Sequence, residues 1–104
     1  MSLSGINYTD RHGRPLKPGQ RIRVQVCVGR YGQTAIREGV IKELSPFGGA
    51  TIITQQTFRE DCGRYGTHLR KVGDEVYVTL TRAGYEKFED FEHRHEKWTE
   101  VVTD

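Results

Sequence analysis

Two segments of the chain share one pattern, in which a lysine, a second residue, a glycine and a polar residue open onto apolar side chains at alternate positions. The first begins with Lys17-Pro18-Gly19 and the second with Lys71-Val72-Gly73. The alternating positions are Ile22, Val24 and Val26 in the first segment and Val76, Val78 and Leu80 in the second. Because successive side chains of a strand point to opposite faces, the pattern predicts two half-buried β-strands, each entered through a tight turn. The segments between them match poorly, so we interpret the pattern as one turn used twice rather than as a duplicated domain.

Length and composition favour a single small domain rich in β-structure. A chain of 104 residues with 35% hydrophobic residues and 12 glycines forms a lean core with many turns. Further strands are predicted over about residues 36–44 and 50–54, with Gly39 marking a bulge or bend in the first. The turn between these strands would expose Phe47, and residues 55–68 read as a long connection.

The C-terminal segment has a different character. Tyr85, Phe88 and Trp98 lie near one helical face, and acidic residues precede basic ones, as suits a helix dipole. We therefore predict a helix from about residue 83 to 98, with a β-hairpin as the alternative because aromatic residues also favour strands. The predicted organisation is a loosely ordered arm, a small barrel, a helix and a tail. Their ranges are 1–13, 14–81, 82–99 and 100–104.

Part of the chain resembles a known family of small barrels. The segment Gly19-Gln20-Arg21-Ile22-Arg23-Val24, followed by Arg37-Glu38-Gly39-Val40-Ile41-Lys42-Glu43-Leu44, is similar to the opening of an SH3-like barrel. More narrowly, residues 17–54 resemble the KOW-type motif of ribosomal proteins and transcription elongation factors, with Gly39 as the glycine of the strand bend. The resemblance implies a mainly β, SH3-like small barrel, here followed by a C-terminal α-helix. It also implies binding to RNA or to a protein, without catalysis.

A repeated tetrapeptide supplies candidate binding residues. Gly-Arg-Tyr-Gly occurs at residues 29–32 and again at 63–66, and residues 1–37 hold seven basic side chains against one acidic. Arginine pairs with phosphates and tyrosine stacks on bases, so we predict binding of single-stranded nucleic acid or RNA. The predicted contact residues are Arg21, Arg23, Arg30, Tyr31, Arg64 and Tyr65. The alternative is that the tyrosines cover a small core and the arginines are solvated.

Protein interaction is the second hypothesis. Phe47 and the aromatic face of the C-terminal segment could contact a partner or a second copy of the chain. The compact size and turn-rich sequence would then suit an accessory protein of a phage or mobile element.

Catalytic and metal-binding functions are disfavoured. Cys62 with His68, and His93 with His95, match no tetrahedral metal site, and one cysteine near one histidine is weak support for a nucleophile. We predict a non-enzymatic protein without metal, cofactor or small-molecule substrate. No apolar run approaches the length of a membrane span or signal peptide, which predicts a cytoplasmic protein that does not contact membranes.

Overall fold

The computed structural model describes residues 8–27, 34–61, 66–89 and 94–102, and these residues form a mainly β fold. Six strands form one antiparallel sheet in the order β6-β3-β2-β1-β8-β7, and β4 and β5 form a separate two-stranded ribbon. The strands are β1 (Arg21–Cys27), β2 (Thr34–Ser45), β3 (Gly49–Thr54), β4 (Phe58–Asp61), β5 (Thr67–Arg70), β6 (Glu75–Thr79), β7 (Tyr85–Glu89) and β8 (Arg94–Val101).

The core lies on one face of the sheet, as the alternation predicts. Ile22 and Val24 on β1 are fully buried, and Val76 and Val78 on β6 pack in the same cluster. The sheet curls enough that Lys97 on β8 donates a hydrogen bond to the Thr79 hydroxyl on β6. We call the opposite side of the sheet the outer face. Its side chains include Arg21, Arg23, Glu38, Tyr77, Tyr85, Glu96, Trp98 and Glu100.

The two Lys-x-Gly turns have the same structure, which confirms the prediction that one kind of turn is used twice. Gly19 and Gly73 adopt φ of 94° and 96°, a region that side chains disfavour. In the first turn the Lys17 N–H donates to the Gln20 side chain at 2.8 Å. In the second the Lys71 N–H donates to the Asp74 carboxylate at the same distance. Each turn thus leads into its strand through a side chain that closes it.

The predicted C-terminal helix is wrong. Residues 85–89 and 94–101 are the strands β7 and β8, the described residues contain no helix, and Tyr85 lies directly opposite Trp98. Tertiary contacts select strand over helix for this segment, because β8 pairs with the free edge of β1 and buries Thr99 in the core. The described residues accordingly include no helix with the length and apolarity needed to cross a membrane.

The predicted SH3-like small barrel is also wrong, because the described sheet does not close. Within the described residues β6 and β7 stand at opposite ends of the sheet order and do not pair with each other. The connection between them is short, yet β7 pairs with β8 instead of folding back on β6. The result is a curled open sheet rather than a barrel.

Three smaller expectations need correction. The long connection predicted over residues 55–68 contains β4 and the first residues of β5. The bulge in β2 lies between Ile41 and Glu43, not at Gly39. Residues 8–13, expected to belong to a loose arm, instead pack against the sheet, with Tyr8 buried and its hydroxyl donating to the Ser45 carbonyl at 2.9 Å. Apolar burial of Tyr8 explains why this segment is held although its sequence lacks periodicity.

Candidate nucleic-acid interface

The structure places two of the six predicted nucleic-acid contacts. Arg21 and Arg23 lie two positions apart on β1, and their side chains are 49% and 51% exposed on the outer face. The other four lie outside the described residues, in the segments between β1 and β2 and between β4 and β5. They are Arg30, Tyr31, Arg64 and Tyr65. Phe47, predicted as a partner contact, is 90% exposed in the turn between β2 and β3.

Arg21 and Arg23, hereafter the arginine pair, share one acidic neighbour. Both guanidinium groups approach the Glu38 carboxylate, at 3.4 Å from Arg21 and 3.2 Å from Arg23. Glu100 on β8 lies opposite Arg23 as its cross-strand partner. The outer face therefore has mixed charge around the arginine pair. Since the pairs are solvent-exposed, they are weak and screened by salt, and an incoming anion can compete with the carboxylates.

Local backbone contacts fix Glu38 in place. Its N–H donates to the Gln56 side chain at 2.8 Å, and its carbonyl accepts from the Gln55 N–H at 2.9 Å. The next residue must be glycine for this close approach, because a Cβ at Gly39 would lie 2.5 Å from the Ile53 carbonyl oxygen. The backbone of Glu38 is thus fixed, and its carboxylate provides a counter-charge to both arginines.

An aromatic pair lies on the same face, on β8, which neighbours β1, and on the edge strand β7. Tyr85 on β7 and Trp98 on β8 are directly opposite each other, and the guanidinium of Arg11 lies 5.6 Å and 5.5 Å from their ring centroids. These distances allow a cation–π contact with both rings. A hydrogen bond to Glu96, together with burial and the negative charge of Glu96, raises the pKa of Tyr85 above its ordinary value. Tyr85 remains 39% exposed, so part of the pair is accessible.

The loop before β1 brings Arg11 to the aromatic pair. The Arg11 N–H donates to the Thr99 carbonyl at 2.7 Å, which ties the loop to β8. Gly84, with φ of 74°, allows this approach, because a Cβ there would lie 2.1 Å from the carbonyl carbon of Asp10. The backbone of Arg11 is therefore fixed, while its side chain is exposed to solvent.

Asp10 stabilises this loop from inside. Its carboxylate is fully buried and accepts hydrogen bonds from the N–H groups of His12, Arg14 and Val101, and from the Arg14 guanidinium at 2.9 Å. Burial raises the pKa of Asp10, but these hydrogen bonds outweigh it and hold the pKa below its ordinary value. A charged Asp10 is thus part of the native structure at neutral pH.

A second arginine–aromatic contact lies away from the outer face. The Arg37 guanidinium on β2 is 3.9 Å from the ring centroid of Phe58, and Phe58 packs against the core. Burial lowers the pKa of Arg37, and the charge of Glu60 partly offsets this. Glu60 also pairs with Arg70 across the ribbon at 2.7 Å. This cluster joins the β4–β5 ribbon to the sheet.

No model of a protein family matches the chain, and no curated protein or solved structure matches it significantly. Among the described residues no three histidine, cysteine, aspartate or glutamate side chains converge as metal ligands would. The geometry itself must therefore support any functional proposal.

Sequence reasoning missed the residues that complete the outer face. Arg11 was placed in the arm, while Tyr85 and Trp98 were placed on a helix. The available signal was the alternation of Glu96, Trp98 and Glu100 with Lys97 and Thr99, which has the period of a strand.

Proposed function

We propose that this protein is a non-enzymatic binding module for single-stranded nucleic acid, and that the outer face of β1, β8 and β7 is its binding surface. The observation that supports this is the presence of the arginine pair and the aromatic pair on one sheet face. Cations that meet phosphates and rings that stack on bases are the two elements that single-strand binding requires.

The spacing of the charges suits a flexible polyanion. Side chains two positions apart on a strand are about 7 Å apart, so Arg21 and Arg23 can each meet a different phosphate of one strand. Glu38 and Glu100 reduce the net charge of this surface, so stacking contributes a large share of the affinity. With Arg11 included, about three phosphate contacts give a slope near −2 for log affinity against log salt.

The proposal is tested by fluorescence anisotropy with a labelled (dT)12 or (rU)12 strand at about 50 and 200 mM salt. Replacing both arginines, Arg21→Ala with Arg23→Ala, should weaken binding about tenfold and make the salt slope shallower by about 1.4. Lys42→Ala is the matched control, because Lys42 is also an exposed cation paired with a carboxylate, that of Glu75. Absence of binding at low salt, or an equal loss in the control, would contradict the proposal.

Protein interaction remains the second candidate because of Phe47. A phenylalanine that is 90% exposed at the tip of a hairpin leaves nearly its whole ring in water, which is the condition for an interface anchor. Light scattering over a range of concentrations tests self-association. A mass that rises with concentration in the unsubstituted protein, but not in Phe47→Ala, would favour this function. A monomer mass at every concentration would exclude self-assembly. Both candidates agree with the KOW-type resemblance of residues 17–54, which implies binding to RNA or protein.

A further inference from the structure

We infer that Tyr85 and Trp98 form a base-stacking subsite that the side chain of Arg11 covers in the free protein. This inference rests on the proposed function and adds to it the place where a base binds and the residue that must move. None of the three residues belongs to the nucleic-acid contacts predicted from the sequence, although Tyr85 and Trp98 were predicted as part of a protein-contacting aromatic face.

The position of the Arg11 guanidinium shows what the aromatic pair accommodates. One planar group lies at nearly the same distance from both ring centroids, 5.6 and 5.5 Å. A nucleobase is also planar, has a π surface and stacks on tyrosine and tryptophan without regard to sequence. The ring surface that the guanidinium occupies can therefore stack on a base once the guanidinium has moved away.

The attachment of Arg11 allows this exchange without unfolding the loop. Its backbone N–H is bonded to the Thr99 carbonyl, and the preceding Asp10 is fixed by its buried carboxylate. The side chain itself is exposed. When it swings off the rings, its charge remains within reach of the phosphate attached to the stacked base, so the cation–π contact is replaced by a phosphate contact.

Nearby carboxylates favour a base over a phosphate on the rings. Glu96 bonds the Tyr85 hydroxyl, and Glu100 lies 3.6 Å from His12 at the margin of the same loop. Negative charge on both sides of the aromatic pair repels the nucleic-acid backbone, while a neutral base is not repelled. The backbone is thereby directed towards Arg11, Arg21 and Arg23.

Trp98 is the only tryptophan of the chain, so its emission reports on this subsite alone. In the first arm, unlabelled (dT)12 is titrated into the full chain; we expect quenching of Trp98 with the midpoint that anisotropy gives. In the second arm, Arg11→Ala should increase collisional quenching of Trp98 by acrylamide in the free protein. Bound (dT)12 should then protect Trp98 in both proteins.

Substitutions of two tyrosines provide the matched comparison. Tyr85→Ala should lower the affinity for (dT)12 about fivefold or more, which is the lower range of one stacked base. Tyr77→Ala should leave affinity unchanged, since Tyr77 is also outward-facing and 51% exposed but lies at the other edge of the sheet, on β6. Trp98→Phe, which keeps a ring in place, should retain binding within a few fold, and circular dichroism confirms that each variant folds.

The outcomes separate this inference from the proposed function. If anisotropy detects binding while Trp98 emission stays constant and Tyr85→Ala binds like the unsubstituted protein, the subsite is wrong and the binding surface lies elsewhere. If neither readout detects binding at low salt, both the subsite and the proposed function are wrong. Unchanged acrylamide quenching in Arg11→Ala would contradict the covering role of Arg11.

Discussion

The two arginine–aromatic contacts of this protein have the same chemistry but different roles, one in stability and one in the proposed binding. Arg37 lies 3.9 Å from the centroid of Phe58, partly buried beside Glu60, whereas exposed Arg11 lies about 5.5 Å from two rings on the outer face. The first contact is close and half-buried, so it contributes to stability. The second is looser and solvated, so it is weak and can be exchanged for a ligand.

The difference follows from what supports each ring. Phe58 packs against apolar side chains of the core cluster, and Arg37 lies over its ring. Tyr85 and Trp98 stand on the solvent side of the sheet, where the Arg11 side chain, from a loop, lies over both rings. A cation–π contact thus indicates structure or function only when the burial of both partners is known.

The largest expected effect concerns the loop that holds Arg11. Asp10→Asn should lower the free energy of unfolding by about 2–4 kcal/mol, because an amide cannot accept all the hydrogen bonds that the buried carboxylate accepts. Asp74→Asn is the control, since Asp74 closes an exposed turn, and it should cost about 1 kcal/mol or less. Urea unfolding measures both. Equal losses would show that the Arg11 loop is not specially anchored.

The same carboxylate predicts a pH dependence with a definite sign. Because folding lowers the pKa of Asp10, the charged carboxylate contributes its full stabilisation above the pKa that Asp10 has in the unfolded chain. It is lost as the pH falls below about 4 and passes through the lower pKa of the folded state. Urea unfolding at a series of acidic pH values should show this loss in the unsubstituted protein and a shallower one in Asp10→Asn. Parallel curves would contradict the role of Asp10.

The next prediction tests the comparison directly. Arg37→Met keeps most of the side-chain volume but removes the charge over Phe58, and should destabilise the protein by about 1–2 kcal/mol. Arg11→Met should change stability by about 0.5 kcal/mol or less, because the contact is exposed. Chemical denaturation gives both values. If Arg11→Met is the more destabilising, Arg11 is a structural residue and the covering role fails.

The smallest expected effect concerns the counter-charge of the arginine pair. Glu38→Gln keeps the shape of the side chain and frees Arg21 and Arg23, so affinity for (dT)12 should rise about two- to fivefold. Glu75→Gln, which frees Lys42 instead, should leave affinity unchanged. Anisotropy titration detects the change, and weaker or equal binding in Glu38→Gln would show that these arginines do not meet phosphate.

The sequence was sufficient for features that depend on neighbouring residues. Alternation in Ile22 and Val24 predicted the buried face of β1, and the glycine turns at Gly19 and Gly73 were identified with their strands. The exposure of Phe47 was predicted from its turn. Such features are local, because side-chain alternation and positive φ are set within a few residues.

The rest depends on contacts between distant parts of the chain. The aromatic residues of the C-terminal segment suit a strand as well as a helix, and the pairing of β8 with the free edge of β1 decides between the two. The proximity of Arg11 to these rings requires the contact between Gly84 and the loop, together with the bond to Thr99. Neither contact leaves a periodic signal in the sequence, which is why the aromatic pair was not among the predicted nucleic-acid contacts.

The most direct test of the binding surface is a chemical-shift map of the isotopically labelled protein titrated with (dT)12 at low salt. We predict that the largest changes cluster on the outer face of β1, β7 and β8, at the amides of Arg11, Arg23 and Tyr85 and at the indole N–H of Trp98. Changes centred on the hairpin tip at Phe47, or on the Arg37–Phe58 cluster with the outer face unaffected, would contradict the account.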